Sequence, residues 1–337
     1  MINKFSKKRS ETVRGDDYIY ASALVRTRAN SRINYEALLR IADARDVSEI
    51  CKILPEYSID PIYKSSGELD AETTVNTYLA GEFETVSKII PQKGIIDFLK
   101  IPYDCHNLKS VAKCDFRERE DCEDLFIDLG RVPAKDVVFY VKNAGLSAFS
   151  ENLALSYEKA KKAFAESGDP KLIDSILDTA CYADMLDAVD AYRSSYFKKL
   201  VEIKIDTTNL MTAVRILRMG DTTGLFESMF LGGSSLGIDF FKKAMENGEV
   251  SLFAAMKKKG YDIQTEDGAL TLTRLGKICE DIYMREVDSA KNIPFGAEIC
   301  VCYLIKATHA TKTLRTIIAS KLSGIESSKI KEKIGKF

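Results

Sequence analysis

Apolar residues recur along most of this chain at three- and four-residue steps, the spacing that lines one face of an α-helix. Between Thr74 and Ile90 the positions Val75, Tyr78, Leu79, Phe83, Val86, Ile89 and Ile90 follow it, which predicts a helix over that span. Asp169-Pro170 places an acid and a proline where a helix starts. Leu172, Ile173, Ile176, Leu177, Ala180 and Ala183 form one stripe behind it, and the pattern predicts a helical run from Pro170 to Arg218 with little interruption. A last long helix is expected after Pro294-Phe295-Gly296, ending near Leu322 where Ser323-Gly324 stops it. Alternation of apolar and polar residues over strand lengths is scarce, so the fold class expected is all-α. Loops are predicted at Ile59 to Gly67, Gly130 to Pro133, Gly220 to Gly224 and Leu231 to Gly237. Polar turns are predicted at Lys259 to Asp262 and Glu266 to Gly268.

A phrase is written twice onto this pattern. Tyr103-Asp104-Cys105-His106-Asn107-Leu108-Lys109 is matched 102 residues on (206 − 104) by Asp206-Thr207-Thr208-Asn209-Leu210-Met211. A third version, Thr313-Leu314-Arg315-Thr316-Ile317-Ile318, lies 104 residues beyond the second (313 − 209) and lacks the Asp and the Asn. The period is too long for a solenoid. It predicts three similar helical domains in a pseudo-threefold arrangement, with approximate bounds 1–115, 116–219 and 220–337. Such modules suit a hub, ring cap or adaptor better than an active-site cleft. At helical spacing Asp104 and Asn107 share a face, as do Asp206 and Asn209. Two readings stay open for them: Asp as a helix cap with Asn bonded to a neighbouring backbone group, or a polar patch on a shared central surface. Leu108, Leu210 and Leu314 are expected in the core.

Composition narrows the function classes. The 337 residues are 45% hydrophobic and 29% charged, and the charges leave a net of -1. That balance argues against a dedicated nucleic-acid binder, which carries a basic field. No run approaches the roughly 18 apolar residues of a membrane span, and Met1 to Arg9 lacks the apolar core of a signal peptide, so a reducing cytoplasm is expected. Basic residues gather at both ends, Lys4, Lys7, Lys8 and Arg9 at one and Lys329, Lys331, Lys333 and Lys336 at the other. They read as solvated tails, or as contacts for an anionic partner or lipid headgroups.

Motifs that carry chemistry are mostly absent. None of the eight cysteines forms Cys-x-x-Cys, and there are two histidines, His106 and His309, so no metal site is expected and buried reduced thiols are. No Gly-Lys-Ser or Gly-Lys-Thr occurs, so Leu231-Gly232-Gly233-Ser234-Ser235-Leu236-Gly237 reads as a connection between helices, not a phosphate loop. Asp104 and His106 are two apart on one helix and point different ways, which excludes a direct relay. The run Arg117-Glu118-Arg119-Glu120-Asp121 reads as a solvated face, and Glu123-Asp124 follow it.

Several segments together resemble the C-type stalk component of the bacterial and archaeal V/A-type ATPases, a family that includes the d component of the eukaryotic V-ATPase. They are Tyr18 to Arg28, Tyr103 to Lys109, Tyr196-Phe197, Asp206 to Leu210, Pro294 to Glu298, Leu314 to Ile318 and Lys321 to Ile325. The chain departs from that family at Thr313, where Asn is common, and at Ala310, where an acid is. The resemblance implies an all-helical funnel of three similar domains. It implies a non-catalytic rotor component on the cytoplasmic face of the membrane, with no cofactor and no directly bound nucleotide. Its partners would be the central-stalk subunits and the membrane proteolipid ring, and its work would be coupling ATP turnover to proton or sodium transport. Under that reading Asn107, Lys109, Asn209, Arg215 and Arg315 are the candidate partner-binding residues, because all lie on or beside the repeated phrase. The competing readings are a helical enzyme with a pocket near Asp104, His106 and Asp206, and an unrelated helical adaptor.

Overall fold

The computed structural model describes residues 13–116, 122–220, 223–263, 270–332 and 334–335. Lys4, Lys7, Lys8, Arg9, Lys333, Lys336, the run from Arg117 to Asp121 and the turn from Glu266 to Gly268 lie outside the described residues. Those described are helical, with an isolated antiparallel bridge between Tyr63 and Leu69 and no strand among them. In chain order the helices are α1 Ile19–Ala29, α2 Tyr35–Asp43, α3 Val47–Ile53, α4 Ala71–Ile89, α5 Ile101–Phe116, α6 Ala134–Asn143, α7 Glu151–Ser167 and α8 Lys171–Ala191. There follow α9 Ser195–Met219, α10 Thr223–Met229, α11 Ile238–Met245, α12 Gly248–Lys258, α13 Leu272–Ser289, α14 Ala297–Leu322 and α15 Ser327–Lys331.

Short polar side chains start these helices where the sequence provides them. Asn34, Asp46, Asp70, Ser150 and Ser194 each accept a hydrogen bond from the backbone N–H three residues on. Each such cap contributes about 1 kcal/mol. The expected run from Pro170 to Arg218 is broken by one of them. Arg193 takes a left-handed φ of 53° and Ser194 caps a new helix, so α8 and α9 are separate. The Gly220 to Gly224 loop is also shorter than expected, since α10 begins at Thr223. The helices over Thr74 to Ile90 and from Ala297 to Leu322 match the periodicity.

The chain forms two compact units, residues 1–96 with 288–325, and residues 97–287 with 326–337. The first unit packs α1 and α4 against α14, whose segment Ile299 to Ile305 is buried throughout. Buried Glu82 on α4 sits in a fork of Arg28 Nε and Nη2 at 2.8 and 3.0 Å, and Arg32 Nε lies 2.9 Å away. The Tyr303 hydroxyl of α14 also donates to Glu82. A carboxylate with 2% of its side chain exposed is tolerated because charged and hydroxyl donors surround it.

The second unit holds both full copies of the repeated phrase. Its core includes Phe98 stacked near Phe197 at 5.7 Å, and a cluster of Phe226, Phe230 and Phe241. Helices α7 and α8 join through a turn at Gly168 and pack along one another, and α8 also packs on α5 and α9. Leu108, Leu210 and Leu314 are wholly buried, as expected. Seven of the eight cysteines are buried, and none is bridged. Among the described residues no helix is long and apolar enough to cross a membrane.

Candidate functional site

The two copies of the phrase make the same backbone clasp. On α5, Asn107 Nδ2 donates to the Ile127 carbonyl at 3.0 Å and Oδ1 accepts the Ile127 N–H at 2.9 Å. On α9, Asn209 Nδ2 donates to the Leu231 carbonyl at 2.8 Å and Oδ1 accepts the Leu231 N–H at 2.9 Å. One amide thus satisfies both main-chain groups of a single loop residue, which needs a side chain with a donor and an acceptor side by side. Both asparagines are 0% exposed. The Asn-to-backbone reading therefore describes them, and the expectation of a polar surface patch does not: their hydrogen-bonding groups are spent inside the fold.

The acids do not cap helices, because both lie within them. Asp104 Oδ1 accepts the N–H groups of Arg131 and Val132 at 2.8 and 3.1 Å, and Oδ2 accepts Arg131 Nε at 2.7 Å. A Cβ on Gly130 would collide with Asp104 Oδ1, so only glycine lets the loop come this close. Burial raises the Asp104 carboxyl above its ordinary value, and the Arg131 guanidinium and the two backbone donors oppose the rise. Asp206 is 0% exposed and has less help. The Tyr261 hydroxyl donates to Oδ2 at 2.5 Å, and Oδ1 has no partner among the described residues. The Ser234 hydroxyl is close enough to favour the carboxylate, but its geometry directs the proton to the Leu236 carbonyl. Burial accordingly pushes Asp206 up to about 6.

The position two residues after each Asn, Thr313 standing in for it in the third copy, fastens its helix to another. Lys109 Nζ meets Asp178 of α8 at 2.6 Å, one turn from a second pair, Lys113 with Asp174, also at 2.6 Å. Met211 of α9 packs beside Gly276 of α13. Arg315 of α14 meets Glu72 of α4 at 2.9 Å and also bonds Asn76. On α9 the charges move earlier along the helix, with Lys204 to Glu280 at 3.0 Å and Lys199 to Glu286 at 2.7 Å. In the third copy Ala310 occupies the Asp position and is fully buried, so no carboxylate needs donors there.

Of the five candidate residues, only Arg215 is exposed, and it has no ion pair among the described residues. Lys109 and Arg315 are partly covered and already paired. His106 is exposed, with Nε2 3.1 Å from the Leu125 carbonyl, and is not joined to Asp104 by a hydrogen bond. Among the described residues no group of three or more His, Cys, Asp or Glu is placed to hold a metal. Sequence reasoning missed Arg131 and Tyr261, the donors to the two acids. It also missed the loop residues the asparagines hold. A signal was present: Gly130 and Gly232 each follow their asparagine by 23 residues (130 − 107 and 232 − 209), so the repeat includes the loop.

These features define a class, an all-helical protein with an internal repeat whose polar phrase fastens loops and neighbouring helices. Comparison with known proteins narrows it. Residues 21–333 match the ATP synthase (C/AC39) subunit family, and the chain belongs to that family. It is similar to the C component of an A-type ATP synthase from Desulfurococcus sp. (strain SY), at 22% identity over 79% of this chain and 75% of the relative. It is also similar to the C component of an A-type ATP synthase from Thermococcus gammatolerans, at 20% identity over 94% of this chain and 90% of the relative. Family membership makes this a stalk component of an A/V-type rotary ATPase.

Proposed function

We propose that the chain is the non-catalytic socket of the rotor. It receives the tip of the central stalk, sits on the cytoplasmic face of the membrane proteolipid ring, and carries torque between ATP turnover and proton or sodium movement. The observation that carries this reading is the family match over nearly the whole chain. The residues add support. The buried polar groups of the repeated phrase hold loops and helices in register, which suits a part that must transmit force without deforming. Lys109, Met211 and Arg315 each touch a neighbouring helix, the two cations through ion pairs and Met211 through packing beside Gly276. They favour three repeats related by a pseudo-threefold axis, divided near residues 115 and 220 and arranged as a funnel. In this reading Arg215 meets the stalk directly. Lys109 and Arg315 contribute by exchanging their present acids for those of a partner, and Asn107 and Asn209 act only by shaping the loops.

The test is a pull-down of tagged chain from gently solubilised native membranes, with partners identified by mass spectrometry. Co-recovery of stalk subunits and a small hydrophobic proteolipid is expected. Recovery of neither, from membranes that contain the assembled ATPase, overturns the socket reading. Arg215→Glu with Arg315→Glu should weaken stalk binding about tenfold or more, the effect of one or two lost charge pairs. Unchanged affinity removes these residues from the interface.

A further inference from the structure

The second unit carries a cleft of about 620 Å³ that the socket reading leaves unused. That volume lies in the range of small-molecule sites. Its walls come from α9, the Leu231 to Gly237 loop, the end of α12 and α13. Ile203, Leu236, Ile282 and Tyr261 line it and are nearly buried, so they give it an apolar floor. The polar rim holds Lys199, Lys259, Arg285, Glu202 and Glu286. Lys199 and Glu286 neutralise one another at 2.7 Å. Lys259 and Arg285 are exposed and have no ion pair among the described residues. Glu202 remains, so the rim's formal charge is three cations less two acids, or +1.

We propose that this cleft binds a small organic monoanion: an apolar body seated on Ile203, Leu236, Ile282 and the Tyr261 ring, with one carboxylate or phosphodiester between Lys259 and Arg285. The two cations stand on different elements, one at the end of α12 and one on α13, so an anion between them bridges both walls. Glu202 sets the charge limit. A second or third negative group would face its carboxylate, which disfavours polyphosphates. The buried Asp206 lies behind the Tyr261 hydroxyl and adds negative charge at the floor, which keeps the anionic group at the rim.

Dansylglycine, an aromatic body with one carboxylate, tests this on the full-length chain by fluorescence titration, and the chain has no tryptophan to interfere. Dansylamide, the same body without charge, is the first control. Saturable one-site binding of dansylglycine is expected, with dansylamide about tenfold weaker or more. Lys259→Ala with Arg285→Ala should weaken dansylglycine binding about five- to tenfold, while Lys258→Ala leaves it unchanged. These side chains are exposed, so the variants keep the fold, which circular dichroism verifies. No saturable binding, equal affinity for the two probes, or equal affinity of the double variant and the parent chain overturns the proposal. Displacement by ATP as strong as by acetylglycine overturns the monoanion preference. The experiment needs no ATPase partner, so its failure and that of the socket reading are separate events.

Discussion

Asp104 and Asp206 occupy the same place in the same phrase, one turn before an asparagine that clasps a loop in the same way. Their surroundings differ. Asp104 meets a guanidinium and two backbone N–H groups, whereas Asp206 meets one phenol and leaves an oxygen without a donor. Both carboxyls are raised by burial, and Asp206 rises to about 6. The asparagine is therefore the device the two copies share. The acid is accommodated locally by whatever the loop and the next helices supply.

The largest effect should come from stripping Asp104 of its cation. Arg131→Met leaves a buried carboxylate with backbone donors alone, and should cost about 3 kcal/mol at pH 7 by urea denaturation. Asp104→Asn in the same chain should restore part of that loss. A cost below ~1 kcal/mol would mean the backbone donors suffice, and the contrast with Asp206 would disappear.

Asp206 also predicts a pH dependence of stability. Its folded value is about 6 against an ordinary 3.8. Between these values the folded chain holds a proton that the unfolded chain has released, so stability falls as pH rises from about 4 to about 6 and is level above. A shift of this size corresponds to about 3 kcal/mol at most. Asp104 and other raised acids contribute with the same sign, so the difference between parent and Asp206→Asn isolates the residue. If the two curves run parallel from pH 4 to 7, Asp206 does not titrate there.

The asparagines rank next. Asn209→Ala strands the Leu231 N–H and carbonyl in a fully buried setting and should cost about 2–3 kcal/mol. Asn107→Ala exposes its loop partner to more water, because Ile127 is half-buried, and should cost about 1–2 kcal/mol. Equal costs would mean that the clasp, not the burial of its partner, sets the energy. The smallest effect belongs to the helix-fastening charges. Lys109→Met and Arg315→Met should each change stability by under ~1 kcal/mol, since Asp178 is partly open to water and Glu72 largely exposed.

The helices over Thr74 to Ile90 and Ala297 to Leu322 were legible because amphipathic periodicity acts within a few residues, and Gly296 and Gly324 flank the second. So were the core positions Leu108, Leu210 and Leu314, and the repeat itself. The break at Arg193-Ser194 was legible in principle, since serine is a strong cap. The continuous apolar stripe on either side hid it. What the polar half of the phrase does was not legible. Whether Asn107 faces solvent or Ile127 depends on a loop about 20 residues away folding back. Whether Asp206 finds a donor depends on Tyr261, brought beside it from beyond α12. Helices, repeat and family all follow from the order of residues along the chain. Which polar groups are consumed inside, and which, like Arg215, Lys259 and Arg285, stay exposed, follows from tertiary packing alone. Burial and hydrogen bonding of a side chain are set by neighbours distant in sequence, and helical periodicity carries no information about them.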